Sequence, residues 1–230
     1  MAKDSFQFRQ FTVWQDRCAM KVGTDGVLIG AWAKGGQRIL DIGTGTGLVA
    51  MMMAQRYPAA LVDAIDVDAA ACGQAEENVG KAGLAGRIHV FHTSLQAHCG
   101  TYDAIVSNPP FFENSLKNPD DRRTMARHND SLPVADIFRC AARLLSGGGC
   151  LSVIIPSAMF ERYEEEAAIQ GFFLIRLCKV RTVERKLAKR FMLAYTKTPA
   201  RLAEVEEHVL MSAGGSRSEW YQQLTQDFYL

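Results

Sequence analysis

Short apolar runs that alternate with helical stretches constrain this chain more than any other feature of its sequence. Arg38–Ile42, Leu61–Val67, Arg87–His92, Tyr102–Ser107 and Cys150–Ile155 read as strands and stop at Gly, Asp, Thr, Asn or Pro. Thr46–Arg56, Ala69–Ala82, Leu132–Ser146 and Ser157–Gln170 read as the helices between and after them, with Gly147–Gly149 as a helix stop. Strands separated by helices of this length form a mostly parallel sheet buried on both faces. Phe172–Val183 and Phe191–Thr196 follow one another with no helix between, so they are expected to form an antiparallel pair. The sequence therefore predicts an α/β fold with a doubly wound, seven-stranded, mostly parallel sheet and an antiparallel closing strand pair. A single domain is expected over 1–230, with a core at 38–197, an N-terminal extension at 1–37 and a strand/helix extension at 198–230. Glu113–Asp130 and Ser212–Ser218 read as loops.

Charge and cysteine usage remove several function classes. Lys plus Arg number 26 and Asp plus Glu 25, a net charge of +1, which speaks against a charge-dominated polyanion binder. Cys18, Cys72, Cys99, Cys140, Cys150 and Cys178 contain no C-x-x-C pair, so no zinc ribbon or thioredoxin-type motif is expected. His89, His92, His98 and His208 show no metal-ligand spacing, and no metal is expected. Met1–Phe11 lacks the apolar core of a signal peptide, and no run approaches the roughly 18 residues of a membrane span. A cytoplasmic protein with reduced thiols is the expectation. The sequence leaves the oligomeric state open, with a monomer slightly favoured.

Two motifs carry chemistry. The first, Asp41-Ile42-Gly43-Thr44-Gly45-Thr46-Gly47, follows a strand and opens a helix. Its glycines permit a tight turn and close approach by a ligand. The dinucleotide fingerprint G-x-G-x-x-G requires glycine at 48, where this chain has Leu48, so a dinucleotide oxidoreductase is disfavoured. Asp66 ends the second strand, where a carboxylate can accept both hydroxyls of a ribose, and Asp41 is placed to meet a cation. The loop alone would suit any doubly wound protein; the loop with Asp66 favours a nucleoside ligand.

The second motif is Ser107-Asn108-Pro109-Pro110-Phe111-Phe112, at the end of the fourth strand. The prolines stop the strand and fix the backbone. The Asn108 amide and the Pro109 carbonyl then offer two acceptors, and an aromatic that can stack on a flat ring follows. That set suits a planar group bearing NH2, such as adenine or a carboxamide. The nitrogen lone pair of such a group is delocalised, and two hydrogen bonds from its N–H groups favour a more tetrahedral, nucleophilic nitrogen. The bland alternative is a turn that merely ends a strand.

With Cys18–Trp32 and the terminal Leu224–Leu230, these motifs resemble the class I S-adenosylmethionine-dependent methyltransferases. More closely, they resemble the bacterial valine-tRNA (adenine-37) N6-methyltransferase family. The resemblance implies a Rossmann-like core, S-adenosylmethionine as cofactor, S-adenosylhomocysteine as its product, and a tRNA adenine as substrate. It assigns the methionine part of the cofactor to Asp41, Gly43, Thr44, Gly45 and Gly47, the ribose to Asp66, and the adenine to Val67 and Ser94. An Asp is common in the family where Thr93-Ser94 stand here. Lys21, Gly23 and Asp25 would lie over the cofactor, so that 1–37 covers its site. Asn108, Pro109, Pro110 and Phe111 would hold the target adenine, with Asn108 also near the cofactor. The family often has Tyr where Phe111 and Phe112 stand; Phe keeps stacking and loses a hydroxyl.

Lys179, Arg181, Arg185, Lys186, Lys189 and Arg190 lie within one stretch that holds a single acid, Glu184. Arg122, Arg123 and Arg127 form a second basic cluster. An isolated charge run is commonly a solvated hairpin tip, but beside a base-methylating cleft both are expected to contact RNA phosphates. One rival is a methyltransferase of a protein glutamine, whose side chain also presents NH2; such enzymes usually carry a helical recognition domain, and only 40 residues precede Asp41. A second is a non-catalytic RNA-binding protein with a vestigial pocket, against which Asp41, Asp66 and Asn108 all argue.

Overall fold

The computed structural model describes residues 4–18, 20–110 and 132–230. A short antiparallel hairpin, β1 (Ser5–Gln7) and β2 (Thr12–Trp14), precedes helix α1 (Thr24–Trp32). Next come β3 (Arg38–Ile42), α2 (Leu48–Arg56), β4 (Leu61–Asp66), α3 (Ala69–Lys81), β5 (Ile88–His92) and β6 (Tyr102–Ser107). After the described gap stand α4 (Val134–Leu144), β7 (Leu145–Pro156), α5 (Phe160–Ile169), β8 (Phe173–Arg181), β9 (Arg190–Thr196), β10 (Glu204–Val209) and α6 (Glu219–Thr225). The large sheet has the order β10-β8-β9-β7-β6-β3-β4-β5. Among the described strands of this sheet, only β9 runs against the common direction.

The seven expected strands form, including the closing pair β8 and β9. An eighth, β10, joins the edge parallel to β8. Its sequence, Glu-Val-Glu-Glu-His-Val, carries no apolar run, which suits an edge that must resist pairing with other chains. Helix α1 escaped sequence reading. It buries Gly26 through Trp32, so it is apolar all round and shows no 3.6-residue stripe. Gly147–Gly149 do not end a helix: they lie inside β7, which starts directly after α4. A Cβ on Gly149 would come within 3.1 Å of the Tyr102 carbonyl oxygen, so glycine permits close strand contact there.

Each face of the sheet packs its own core. Ile39, Ala104 and Ile154 face a cluster containing Val27, Leu28 and Met51 to Met53 from α1 and α2. Leu40, Ile105 and Leu151 face the opposite cluster, with Phe138 of α4 and Tyr163 of α5. The two chain ends meet as well. Phe8 stacks on Tyr229 at 5.9 Å, and the Arg217 guanidinium lies 3.9 Å from the Tyr229 ring centre.

At the amino end of the strands, Asp63 is a buried carboxylate with three partners. Its Oδ2 accepts from Arg38 at 3.0 Å and from the Tyr102 hydroxyl at 2.7 Å, and His89 Nδ1 lies 3.4 Å from Oδ1. His98 Nε2 stands 2.6 Å from the same hydroxyl. Tyr102→Phe leaves both the carboxylate oxygen and the imidazole short of a partner. It is expected to cost about 1–3 kcal/mol in urea unfolding, and an unchanged midpoint would contradict the bonding described.

Candidate active site

Because β3, β4, β5 and β6 are parallel, their carboxyl ends meet along one edge. Ile42 pairs with Ile65 on one side and Ser107 on the other, which brings the two motifs side by side. Ser107, fully buried, donates its hydroxyl to the Ile42 carbonyl at 2.9 Å and ties the two strand ends together. In open α/β sheets this edge is where ligands bind.

The glycine loop is turned back onto β4. The Gly43 and Thr44 N–H groups donate to the Ile65 carbonyl at 2.9 and 3.0 Å. Gly45 N–H donates to Asp66 Oδ2 at 2.9 Å, and Asp68 N–H donates to Oδ1 at 3.0 Å. Gly43 and Gly45 have φ of 70° and 55°, the left-handed region that disfavours side chains, and a Cβ on either would meet nothing within 4 Å. The loop therefore faces open space with its backbone bare. Gly47 faces the protein instead, where a Cβ would sit 3.3 Å from that of Ala75 on α3.

Asp41 lies beneath the loop, 1% exposed. Its Oδ2 accepts from the Thr44 hydroxyl at 2.7 Å and from Ala50 N–H at 3.1 Å. Burial pushes its pKa up to about 7, with a further push from the Asp66 charge and an opposing pull from those two hydrogen bonds. Asp41 thus holds the loop from below, a structural task that the motif alone does not reveal. Burial and the Asp66 charge also push the Cys18 and Cys72 thiols up to about 11, so neither is a thiolate at neutral pH.

Beyond Asp66 the cleft has an apolar wall. Val67 is 58% exposed, and its carbonyl oxygen lies 3.0 Å from His92 Nε2. Ser94 is half-buried beside it and accepts from Ala97 N–H at 3.3 Å. Thr93 N–H donates to the Asp66 carbonyl at 2.9 Å, which fixes the end of β5 against that of β4.

On the other side stands Asn108. Its Oδ1 is buried and has no hydrogen-bond partner among the described residues. Among the described residues, its Nδ2 meets the Met20 sulfur, at 3.9 Å. A buried acceptor without a donor is costly, so this oxygen is able to take a ligand N–H. Pro109 is buried and Pro110 half-buried, while Phe111, Arg122, Arg123 and Arg127 lie outside the described residues. Lys21 and Gly23 are exposed on the segment that carries Met20, and Asp25 at the start of α1 pairs with Arg190. Nothing in the sequence pairs Met20 with Asn108.

The basic run divides in two. Lys179 sits over the Phe191 ring at 5.8 Å, Arg181 pairs with Glu207 at 2.9 Å, and Arg190 pairs with Asp25. Arg185, Lys186 and Lys189 are exposed in the β8–β9 connection, with no ion pair among the described residues. Since β8 is parallel to β6, this connection projects from the same sheet edge as Asn108. Elsewhere, folding gathers ligand atoms of Cys178, Glu206 and His208 within 4.8 Å, a set invisible in sequence spacing. Both Glu206 oxygens are already used: Trp32 and Arg176 donate to Oε1 at 2.9 and 3.2 Å, and His208 Nε2 lies 3.0 Å from Oε2. This cluster fastens β10 to the core.

Comparison with known proteins agrees with this geometry. The methyltransferase small domain family matches residues 22–173. A tRNA1(Val) (adenine(37)-N6)-methyltransferase of Parabacteroides distasonis is 43% identical over 236 aligned positions, covering 100% of this chain and 99% of that one. A protein of the same name from Bacteroides thetaiotaomicron is 44% identical, again over 100% and 99%. In structure, the chain resembles a predicted O-methyltransferase of Agrobacterium tumefaciens (TM-score 0.70, 17% identity, 89% of this chain and 96% of that one). It also resembles a putative RNA methyltransferase of Pyrococcus horikoshii (TM-score 0.52, 19% identity, 73% and 76%), and both likenesses concern the fold. The full-length relatives and the matched domain together show that this chain belongs to the methyltransferase small domain family, and to the family of proteins named tRNA1(Val) (adenine(37)-N6)-methyltransferase.

Proposed function

We propose that this chain transfers a methyl group from S-adenosylmethionine to the N6 amino group of adenine 37 in a valine tRNA, in the cytoplasm. The observation that carries the reading is the orphaned Asn108 Oδ1 beside an open glycine loop, in a chain over 40% identical to relatives named for that reaction. The open backbone at Gly43 and Gly45, the Asp66 carboxylate and the exposed Val67 fit an adenosyl ligand. S-adenosylmethionine supplies an electrophilic methyl group when bound. Gly43, Thr44, Gly45 and Gly47 would hold its methionine part, Asp66 its ribose, and Val67 with Ser94 its adenine. Asp41 would hold the loop and set a negative field beneath it, and Lys21, Gly23 and Asp25 would lie over it, with residues 1–37 as the cover.

Asn108 Oδ1 and the Pro109 carbonyl would accept the two N–H groups of the target adenine. Those bonds draw the nitrogen lone pair out of ring conjugation and make it available for attack. The nitrogen would gain a bond to the methyl carbon as that carbon's bond to sulfur breaks, with the electron pair leaving on the sulfur of S-adenosylhomocysteine; the nitrogen, cationic at that point, then loses a proton, so no strong base is required. Pro110 keeps the motif rigid and Phe111 would stack on the base. Arg185, Lys186 and Lys189 would take phosphates of the RNA, alongside Arg122, Arg123 and Arg127. An anticodon-loop base is already unpaired, which lowers the cost of bringing it into a pocket.

Asn108→Ala should lower kcat with valine tRNA by about 100-fold or more while the Kd for S-adenosylhomocysteine stays within about 3-fold. Wild-type turnover in that variant would refute the assigned role. Replacing Arg185, Lys186 and Lys189 together by Ala should weaken tRNA binding and reduce the slope of log affinity against log salt by about 3; an unchanged slope places the RNA elsewhere.

Asp41 gives a pH signature. Its folded-state pKa of about 7 lies above the ordinary 3.8, so the folded state holds the extra proton between those values. The stabilising contribution of that protonation is complete below about pH 4 and disappears as the pH rises through 7. In urea unfolding, wild type is expected to lose stability relative to Asp41→Asn as the pH rises from 5 to 8. Parallel curves would show that Asp41 does not titrate there.

A further inference from the structure

We propose that Asn78 is a positioning residue that couples the N-terminal segment to the glycine loop, so that cofactor affinity depends on a buried side chain behind the loop. The inference rests on the cofactor reading given above. Asn78 lies on α3 and is fully buried. Its Oδ1 accepts from Trp14 N–H at 2.8 Å. Its Nδ2 donates to the Trp14 carbonyl and to the Thr46 carbonyl, both at 2.8 Å. The amide thus pairs with the N–H and the carbonyl of a single residue of β2, as a neighbouring strand would, and spends its remaining N–H on the glycine loop. One amide group serves both segments, with one hydrogen to each, so neither can shift without disturbing the other.

The rest of the α3 face extends this grip. Gln74 Oε1 accepts from Arg17 N–H at 3.1 Å, Glu77 pairs with Arg17, and Lys81 lies 4.4 Å from the centre of the Trp14 ring. Beyond Arg17 the segment folds back, with Gln15 Oε1 accepting from Val22 N–H at 2.8 Å. It reaches Asn108 through Met20 and is fastened again where Asp25 pairs with Arg190. The described residues between Trp14 and Asp25 therefore form a strap. It is held by α3 at one end and by the base of the basic hairpin at the other, with its middle beside the substrate-binding asparagine. A ligand that orders the glycine loop orders the strap through Thr46 and Asn78, and coupling of this kind acts equally in both directions.

The test measures S-adenosylhomocysteine binding by calorimetry and amide hydrogen exchange in the full chain. In wild type, the ligand should slow exchange at residues 16–23. In Asn78→Ala, that slowing should be lost and the ligand Kd should rise by about 10-fold, while kcat at saturating S-adenosylmethionine stays within about 3-fold. Gln74→Ala, which removes the hydrogen bond to Arg17, should show the same pattern more weakly. A Kd unchanged in Asn78→Ala alongside a lowered melting temperature would mean a purely structural role and overturn the proposal. So would wild-type exchange at 16–23 that ignores the ligand, a measurement that stands even where Asn78→Ala does not fold. Failure of wild type to bind S-adenosylhomocysteine at all would overturn the cofactor reading and the coupling with it, whereas normal binding without coupling overturns the coupling alone.

Discussion

Burial of both sheet faces is the constraint on which everything else depends. A parallel sheet covered by helices on each side leaves little room for polar chemistry along its strands. Polar groups emerge where the strands stop, and here β3, β4 and β6 stop in register. Asp41, Asp66 and Asn108 are brought together by that alignment, although 67 positions of sequence separate the first from the last. The Ser107 hydroxyl bonded to the Ile42 carbonyl holds the alignment at the point where the chemistry begins.

The charges near the cleft are first used to build it. Asp66 accepts two backbone N–H groups and Asp41 accepts a hydroxyl and an amide, so both carboxylates shape the loop before any ligand arrives. Asn108 is the contrast: its oxygen is buried and unserved among the described residues. The same division runs through the basic stretch. Lys179, Arg181 and Arg190 are committed to the protein itself, while Arg185, Lys186 and Lys189 stay available to a polyanion. A net charge of +1 is compatible with such a surface because its cations are local rather than pervasive.

Much of the fold was legible because its signals are local. The runs at Arg38–Ile42 and Tyr102–Ser107 became strands with those bounds, since a doubly buried strand is apolar throughout and ends at a residue that breaks it. Helix α1 was not legible, being apolar on every side; a strand was expected within 198–230, but its charged sequence did not mark its place at the sheet edge. At the site, the glycine loop and the Asn-Pro-Pro motif stood out because backbone conformation demands those residue types. Asn78 and Gln74 did not, because their partners lie far away in sequence. Their only local trace is a pair of polar residues one turn apart on the buried side of α3, where Ala71, Ala75 and Val79 are apolar. Met20 carried no trace at all.

The position of β9 also bears on how the molecule is made. It lies between β7 and β8 and pairs with both, yet it follows both in the chain. During synthesis, the half built from β3, β4 and β5 has all its strands once residue 92 has emerged. The other half must wait with an open slot until residue 196. Domains generally fold as units. The hairpin bearing Arg185, Lys186 and Lys189 can therefore join the sheet only once the returning strand β9 fills the gap between β7 and β8.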